Sequence, residues 1–355
     1  MTRNPGLESR PPRAAARSVR KAVLLLNIGS PASPRTSDVR RYLAEFLSDP
    51  RVIDLPWVAR QLLLRLVILP FRPKRSAAAY QLVWTPQGSP LVTLSQAQAD
   101  GLASRLGVPV HLAMRYGAPS IARAISAIAA SMAEDVVVVP LFPQYSSAAT
   151  GSALQAVYEA LGRLPFVPAV QVLRPFWDDE AVLDAYAARV REALGDAPVD
   201  RLVCSFHGLP ERQVRATDAS GGCLAGSGCC DAPAERIGVC YRAQCFATAR
   251  ALERRLEIPV VVAFQSRLGR TPWIQPFTDE LLVRLPSEGV RRVAVVCPSF
   301  VADCLETLEE VAIRGRETFL AAGGEHFVAV PCPNDDPRFL DALAHLVRAQ
   351  LGELP

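Results

Sequence analysis

The chain has 355 residues, of which 50% are hydrophobic and 21% are charged, a length and composition that fit two ordinary domains or one large α/β unit and exclude a mostly disordered protein. The net charge of +4 is scattered along the sequence, which argues against a nucleic-acid-binding stripe. Apolar runs such as Val136–Phe142 are far shorter than the ~20 residues that an integral membrane helix needs.

The first twenty residues differ from the rest of the chain. Residues 1–20 are rich in arginine, proline and alanine and lack the apolar core of a secretory signal. We interpret them as a disordered N-terminal tail, with a cleaved organellar presequence as the alternative.

From Lys21 onward, short apolar runs alternate with helical stretches such as Ile121–Met132. The runs form two series of four predicted parallel strands, Ala22–Ile28, Val110–Met114, Val136–Phe142 and Ala169–Leu173, then Leu202–Phe206, Val260–Phe264, Val293–Cys297 and Phe327–Val330. The alternation predicts an α/β fold of two doubly wound, Rossmann-like halves, each with a parallel four-stranded sheet.

The break between the two halves is expected near Pro175–Asp179. We therefore predict a first Rossmann-like domain over 21–176 and a second one over 177–325, followed by a C-terminal strand and helix over 326–355. Ligands of such folds bind beyond the carboxyl ends of the strands, so the residues just after each run are the candidates for a site.

The stretch Trp57–Arg75 mixes leucine, isoleucine and valine with arginine and lysine. One interpretation is a core helix with basic ends. The alternatives are an apolar edge over a hydrophobic ligand or a surface that touches a membrane.

His207 directly follows the strand Leu202–Phe206 and precedes the turn Gly208–Pro210, which would present its ring to a cleft. The other histidines, His111, His326 and His345, stand in no comparable motif. A lone histidine is often structural, but its place at the carboxyl end of a strand makes His207 a candidate for a catalytic role.

The cysteines form the next unusual pattern. An odd count of nine argues against a disulfide scaffold, and five of the nine lie between Cys223 and Cys245 among glycine and small residues. Four converging thiolates hold an iron–sulfur cluster or zinc, and adjacent Cys229 and Cys230 are awkward for a structural zinc. We favour a cluster over zinc and over unligated thiols.

Asp303, Glu306 and Glu310 open a predicted helix, Asp303–Ala322, which Gly323 would end. Their spacing would place three carboxylates on one helix face. Acidic residues in a first turn also complement the helix dipole, but this helix follows Val293–Cys297 at the sheet end that presents His207. A histidine facing carboxylates can bind a cation and pass protons. No phosphate-binding glycine loop is present, which argues against a nucleotide-driven enzyme.

Seven motifs together resemble ferrochelatase, the enzyme that inserts ferrous iron into a porphyrin at the end of haem synthesis. They are LLLNIGSP (24–31), QGSPL (87–91), MRYG (114–117), PLFPQYSS (140–147), SFHGLPER (205–212), FQSRLGRTPW (264–273) and ADCLETLEE (302–310). The resemblance runs from about Lys21 to Gly352. It implies an enzyme, a metal-chelating lyase, with protoporphyrin IX and ferrous iron as substrates.

The resemblance also implies roles for individual residues. His207 and Glu306 would face each other across the porphyrin, handling the metal and the two pyrrole protons, and Asp303 and Glu310 would continue the acidic path behind Glu306. The residues implied to line the porphyrin cleft are Arg115, Tyr116, Tyr145 and Trp273. Residues 57–75 would form the apolar lip of the cleft, and a cytoplasmic protein with peripheral membrane contact through this lip is expected.

Two departures from animal ferrochelatases matter. Those members bind a [2Fe–2S] cluster with a cysteine at the position of Ser147 and three more in a C-terminal extension, whereas no cysteine follows Cys332 here. The cysteines after His207 instead resemble an internal cluster motif of a bacterial subgroup, which implies as ligands Cys223, Cys229, Cys230 and Cys240, with Cys245 as a spare. Cys304 replaces a second histidine of animal members, so that histidine's role does not transfer.

Two other functions compete with a protoporphyrin ferrochelatase. A coproporphyrin III ferrochelatase of the same fold would need more basic partners for four propionates than protoporphyrin needs for two. A non-catalytic haem- or iron-sensing protein would use the cluster as a redox switch.

Overall fold

The structure is a computed structural model that describes residues 19–218, 222–224, 226, 228–231, 238–269 and 271–352. Most of the predicted N-terminal tail therefore lies outside the described residues. The eight strands are β1 (Lys21–Ser30), β2 (Val110–Gly117), β3 (Asp135–Pro140), β4 (Ala169–Val172), β5 (Arg201–His207), β6 (Val260–Gln265), β7 (Arg292–Val296) and β8 (His326–Ala329). Each coincides with a run that the sequence predicted, so the strand predictions are confirmed.

The helices alternate with these strands. The described α-helices are α1 (Thr36–Ser48), α2 (Trp57–Leu62), α3 (Leu69–Val83), α4 (Pro90–Leu106), α5 (Ile121–Ala130), α6 (Ser152–Leu161), α7 (Glu180–Leu194), α8 (Glu211–Arg215), α9 (Tyr241–Leu256), α10 (Thr278–Arg284), α11 (Arg316–Ala321) and α12 (Pro337–Gln350). Three π-helical segments, Leu63–Ile68, Ser147–Gly151 and Glu306–Gly315, and one 3₁₀ turn, Leu285–Glu288, complete the series.

The strands form two parallel four-stranded sheets, in the orders β2-β1-β3-β4 and β6-β5-β7-β8. The same order in both halves confirms the predicted doubly wound, Rossmann-like α/β fold. In the second sheet the register pairs His207 with Gln265, at the carboxyl ends of β5 and β6.

Helices cover both faces of each sheet, which explains why the strands read as continuous apolar runs. Alternate residues of β1 face opposite clusters: Val23 and Leu25 join one, and Leu24 and Leu26 join the other. The cluster of Val23 also contains Leu202 of the second sheet, so the two halves share one apolar core.

Further contacts join the halves. The C-terminal helix α12 packs against both α4 and α7. The buried side-chain amide of Gln98, in α4, donates hydrogen bonds to the carbonyls of Val301 and Asn334, each over 2.8 Å. The domain limits at 176 and 325 stay a prediction.

Gly29, in the first motif, is required where β1 passes β2. Its φ is +112°, and a Cβ there would lie 1.9 Å from the carbonyl oxygen of Tyr116. Only glycine permits this approach of the two strands.

The interpretation of Trp57–Arg75 as a core helix is wrong for most of its apolar residues. The stretch forms α2, a π segment and the start of α3, and Leu64 is its buried leucine. The side chains of Trp57 and Phe71 are 67% and 75% exposed. Further exposed residues of the apolar lip, as we call residues 57–75, are Val58, Leu62, Leu66 and Val67.

The helix predicted over Asp303–Ala322 begins later, with the π segment Glu306–Gly315, and ends with α11 before Gly323. Asp303 therefore lies in the preceding loop and does not share a helix face with Glu306 and Glu310, contrary to the prediction. Its carboxylate accepts hydrogen bonds from Thr307 and Asn334, and such local bonds compete with helix formation.

Candidate active site

His207 ends β5, and three hydrogen bonds fix it. Its Nδ1 lies 2.7 Å from the carbonyl oxygen of Gly208. Because a carbonyl can only accept, Nδ1 carries a hydrogen, and in the neutral ring Nε2 then keeps its lone pair. The main-chain N–H of His207 donates to Ser299 Oγ over 3.1 Å, and its carbonyl accepts from the Tyr241 hydroxyl over 2.7 Å.

Trp273, which the resemblance implies to line the porphyrin cleft, packs directly beside this turn. A Cβ at position 208 would lie 2.8 Å from the carbonyl oxygen of Gln265 and 3.3 Å from the Trp273 ring, so Gly208 allows the loops to approach. The main-chain N–H of Ile274 donates to the Leu209 carbonyl over 3.0 Å, which holds the two loops together.

Glu306 stands at the start of the π segment and is half-buried. The side-chain amide of Gln265, the register partner of His207, donates to the main-chain carbonyl of Glu306 over 3.3 Å. This bond places His207 and Glu306 at the same edge of the second sheet.

The Glu310 carboxylate accepts hydrogen bonds from Ser266, one from the N–H over 2.9 Å and one from the hydroxyl over 2.5 Å. Burial, and then the negative charge of Glu306, raise the pKa of Glu310 despite these bonds. Glu306 and Glu310 are therefore electrostatically coupled. The Asp303 carboxylate, by contrast, is buried among Thr307, Asn334 and the Cys332 N–H.

A half-buried cation of the apolar lip, Arg72, belongs to the same neighbourhood. Burial lowers the pKa of Arg72, while the nearby Glu306 opposes this shift. Among the described residues its Nη1 atom has no hydrogen-bond partner. The tyrosines Tyr42 and Tyr80 also lie near Glu306, and burial raises the pKa of both hydroxyls. None of these three residues was predicted from the sequence, because Arg72 has the pattern of a basic flank.

Arg115 and Tyr116 share one buried partner. Asp49 accepts hydrogen bonds from Arg115 over 2.6 Å, Tyr116 over 2.9 Å, Ser152 over 2.5 Å and the Arg51 N–H over 2.7 Å. Burial raises the pKa of Asp49, but these bonds and the charge of Arg115 leave it below its ordinary value.

The resemblance implied that Tyr116 lines the porphyrin cleft, whereas its side chain here is fully buried in a core cluster. Within this cluster Tyr116 packs against Phe46, with ring centroids 5.0 Å apart. Arg115 and Tyr145 are half-buried, and the N–H of Tyr145 donates to the side-chain oxygen of Gln244 over 2.7 Å.

The predicted cluster ligands lie in one region, part of which is outside the described residues. The sulfurs of Cys229 and Cys230 are 3.8 Å apart, and Arg242 donates to the Cys230 sulfur over 2.9 Å. Burial raises the pKa of Cys230 to about 12, and burial with the nearby Cys240 and Cys229 raises that of Cys223 to about 11.

Within the described parts of the chain, no three histidine, cysteine or carboxylate side chains are arranged to hold a single metal ion. Cys245, which the resemblance left as a spare, is fully buried in the shared apolar core.

Comparison with known proteins adds the family. The sequence model of the ferrochelatase family matches residues 20–351. A ferrochelatase of Azotobacter vinelandii is 46% identical over 333 residues, covering 92% of this chain and 98% of the relative. A ferrochelatase of Pseudomonas fluorescens strain Pf0-1 is 45% identical over 331 residues, covering 92% and 96%.

Among solved structures, SirB from Bacillus subtilis with Fe³⁺ superposes with a TM-score of 0.52 at 15% identity, covering 93% of this chain and 95% of SirB. The cobalt complex of the sirohydrochlorin chelatase SirB from Bacillus subtilis subspecies spizizenii gives 0.53 at 14% identity, covering 93% and 94%. At this identity the likeness concerns the fold.

Proposed function

The chain belongs to the ferrochelatase family, and we propose that it inserts ferrous iron into protoporphyrin IX with His207 and Glu306 as its catalytic pair. The relatives named ferrochelatase match nearly the full length of the chain at 45% and 46% identity, which supports the enzymatic activity. The observation that carries the residue assignment is the hydrogen bond from His207 Nδ1 to Gly208, which keeps Nε2 free to accept a proton.

Metal insertion exchanges one Fe²⁺ for two pyrrole N–H protons, so the site needs groups that accept protons beside the ring. His207 Nε2 takes one proton. The Glu306 carboxylate accepts the second proton. Glu310, whose pKa is raised toward neutral pH, continues the path toward Ser266. Hydrogen bonds from Thr307 and Asn334 hold the Asp303 carboxylate beside the start of the π segment of Glu306, and its part in the path stays a prediction.

An arginine near Glu306 has the chemistry to bind a propionate of the porphyrin that we propose as substrate. Arg72 offers a buried Nη1 without a partner in the described chain, which suits one porphyrin propionate. Arg115 is already paired with Asp49 over 2.6 Å.

The [2Fe–2S] cluster that the resemblance implies stays a proposal, since no three described side chains are arranged around one metal position. Such a cluster takes thiolates in pairs, one pair on each iron. Two sulfurs on one tetrahedral metal with bonds of ~2.3 Å lie about 3.8 Å apart, which matches the Cys229–Cys230 separation of 3.8 Å. Cys223 and Cys240, electrostatically coupled to each other, would supply the second pair. When bound, the cluster supplies a redox-active cross-link between these four residues.

The apolar lip supports peripheral contact with a membrane. Trp57 and Phe71 are exposed, and Arg65, Lys74 and Arg75 accompany them, a combination that binds the interface of anionic bilayers. No helix in the described part of the chain is long and apolar enough to cross a bilayer.

The catalytic assignment is tested by mixing the purified full chain anaerobically with protoporphyrin and Fe²⁺, with Zn²⁺ as a second metal, and following the absorbance change. We expect His207→Ala and Glu306→Gln to lose insertion by at least a hundredfold while porphyrin binding persists. His326→Ala and Glu317→Gln, both exposed, are the matched controls. A His207→Ala variant as active as the wild type would refute the assignment.

A further inference from the structure

The first turn of α9 connects the cysteine-rich segment to the active site. This helix begins at Tyr241, directly after Cys240. The Tyr241 ring is 6% exposed, and its hydroxyl donates to the main-chain carbonyl of His207 over 2.7 Å. Ser299 accepts from the N–H of the same residue, so Tyr241 and Ser299 together bind both main-chain polar groups of His207.

Arg242, the next residue, makes a second connection. One end of its guanidinium donates to the Cys230 sulfur over 2.9 Å, and the other donates to the Gln275 carbonyl over 3.4 Å. Gln275 is two residues beyond Trp273, and the guanidinium is held in place 4.6 Å over the ring of Phe246.

Gln244 makes a third connection. Its side-chain oxygen accepts from the N–H of Tyr145 over 2.7 Å, and its side-chain nitrogen donates to the Gly238 carbonyl over 2.7 Å. One turn of helix therefore touches three loops of the site and, on its other side, the segment that carries the cysteines.

We propose that Tyr241 is a positioning residue for His207, and that Arg242 makes the cysteine-rich segment part of the same support. The inference rests on the proposed catalytic role of His207. A shift of the His207 carbonyl would rotate the bond between Nδ1 and the Gly208 carbonyl, and with it the direction of the Nε2 lone pair. A chemical change at Cys230 reaches the Trp273 loop through a single side chain.

The test removes the Tyr241 hydroxyl in two backgrounds. We expect Tyr241→Phe to lower kcat for Zn²⁺ insertion about five- to tenfold, the effect of one hydrogen bond, and to leave the porphyrin KM within twofold. In the His207→Ala background the same substitution should not lower the residual rate further. Arg255→Gln, on the same helix but paired with Asp184, is the control and should keep wild-type kinetics.

An unchanged kcat in Tyr241→Phe overturns the proposal. An equal loss of kcat in the wild-type and His207→Ala backgrounds also overturns it, because it would indicate a general effect on the fold. Full activity of His207→Ala alone would instead refute the catalytic assignment, and the two failures are therefore distinguishable.

The link to the cysteines is tested with Cys230→Ala in the wild-type and Arg242→Leu backgrounds, with the Soret absorbance of bound porphyrin as a readout besides turnover. We expect Cys230→Ala to shift this band in the wild-type background and to leave it unmoved once Arg242 is replaced. An equal shift in both backgrounds would overturn the link.

Discussion

Asp49→Asn should destabilise the folded chain strongly, because this carboxylate is the common acceptor of a buried network. One oxygen of Asp49 accepts from Arg115, Tyr116 and Ser152, and the other accepts from the Arg51 N–H. An asparagine can keep the first three bonds, but its NH₂ group then faces the Arg51 N–H, and Arg115 loses its charged partner.

An unsatisfied buried donor costs about 1–3 kcal/mol and a charge-assisted hydrogen bond is worth about 1.5–3 kcal/mol. The Asp49 side chain is 4% exposed and that of Arg115 is 22% exposed, so solvent screens the pair weakly. We therefore expect the free energy of unfolding to fall by about 3 kcal/mol.

The assay is urea unfolding followed by circular dichroism, with Asp341→Asn as the control. Asp341 also pairs with an arginine over 2.6 Å, but its side chain is 69% exposed, and its replacement should leave the unfolding midpoint unchanged. Because the folded-state pKa of Asp49 is lowered, its stabilisation is present above the ordinary pKa and is lost as the pH falls through the folded value. The difference between wild type and Asp49→Asn should therefore be constant at neutral pH and shrink in acid. A loss below 0.5 kcal/mol, about the size of an ordinary surface change, would refute the reasoning.

Three further predictions follow from other parts of the structure. Glu310→Gln should raise the melting temperature at pH 8 and not at pH 4. Because the pKa of Glu310 is raised in the folded state, its contribution to stability is present below the ordinary pKa and is lost as the pH rises, whereas glutamine cannot ionise. Equal effects at both pH values would contradict this. Gly29→Ala should prevent folding or cost more than about 3 kcal/mol, because its Cβ would lie 1.9 Å from a main-chain oxygen, whereas Gly107→Ala, with φ of +67° and open space around it, should cost only about 1 kcal/mol in the same unfolding assay. Leu66→Asp in the apolar lip should reduce co-sedimentation with anionic phospholipid vesicles several-fold, while Leu82→Asp, equally exposed but outside the lip, should not; indistinguishable binding would argue against membrane contact.

The strands were predictable because burial on both sheet faces leaves an unambiguous apolar run, as in Val136–Phe142. His207 was predictable for a related reason: it is the one histidine that directly follows such a run. Tertiary context decided the rest. Asp303 had the spacing of a helix residue, but Asn334, distant in sequence, binds its carboxylate in a loop.

Partnership between distant residues also escaped the sequence. No pattern near Asp49 indicated that its carboxylate would accept a hydrogen bond from Tyr116, 67 positions later. This bond keeps the Tyr116 hydroxyl in the core. Arg72 carried no signal beyond its charge, because an arginine among leucines is typical both of a solvated flank and of a buried binding group. Trp57 and Phe71 are exposed because nothing in the described part of the chain packs over them, and no local pattern specifies that.

The shared apolar core has a consequence for how this molecule could be divided. Val23 and Leu202 belong to one cluster, and the buried Gln98 amide is bonded to two carbonyls of the opposite half. A protease cut in the exposed turn at 195–198 would therefore release no independent domain. The two pieces would stay associated. Two separately synthesised fragments, one ending and one beginning at that turn, would be expected to complement each other, because each contributes residues to the shared apolar core.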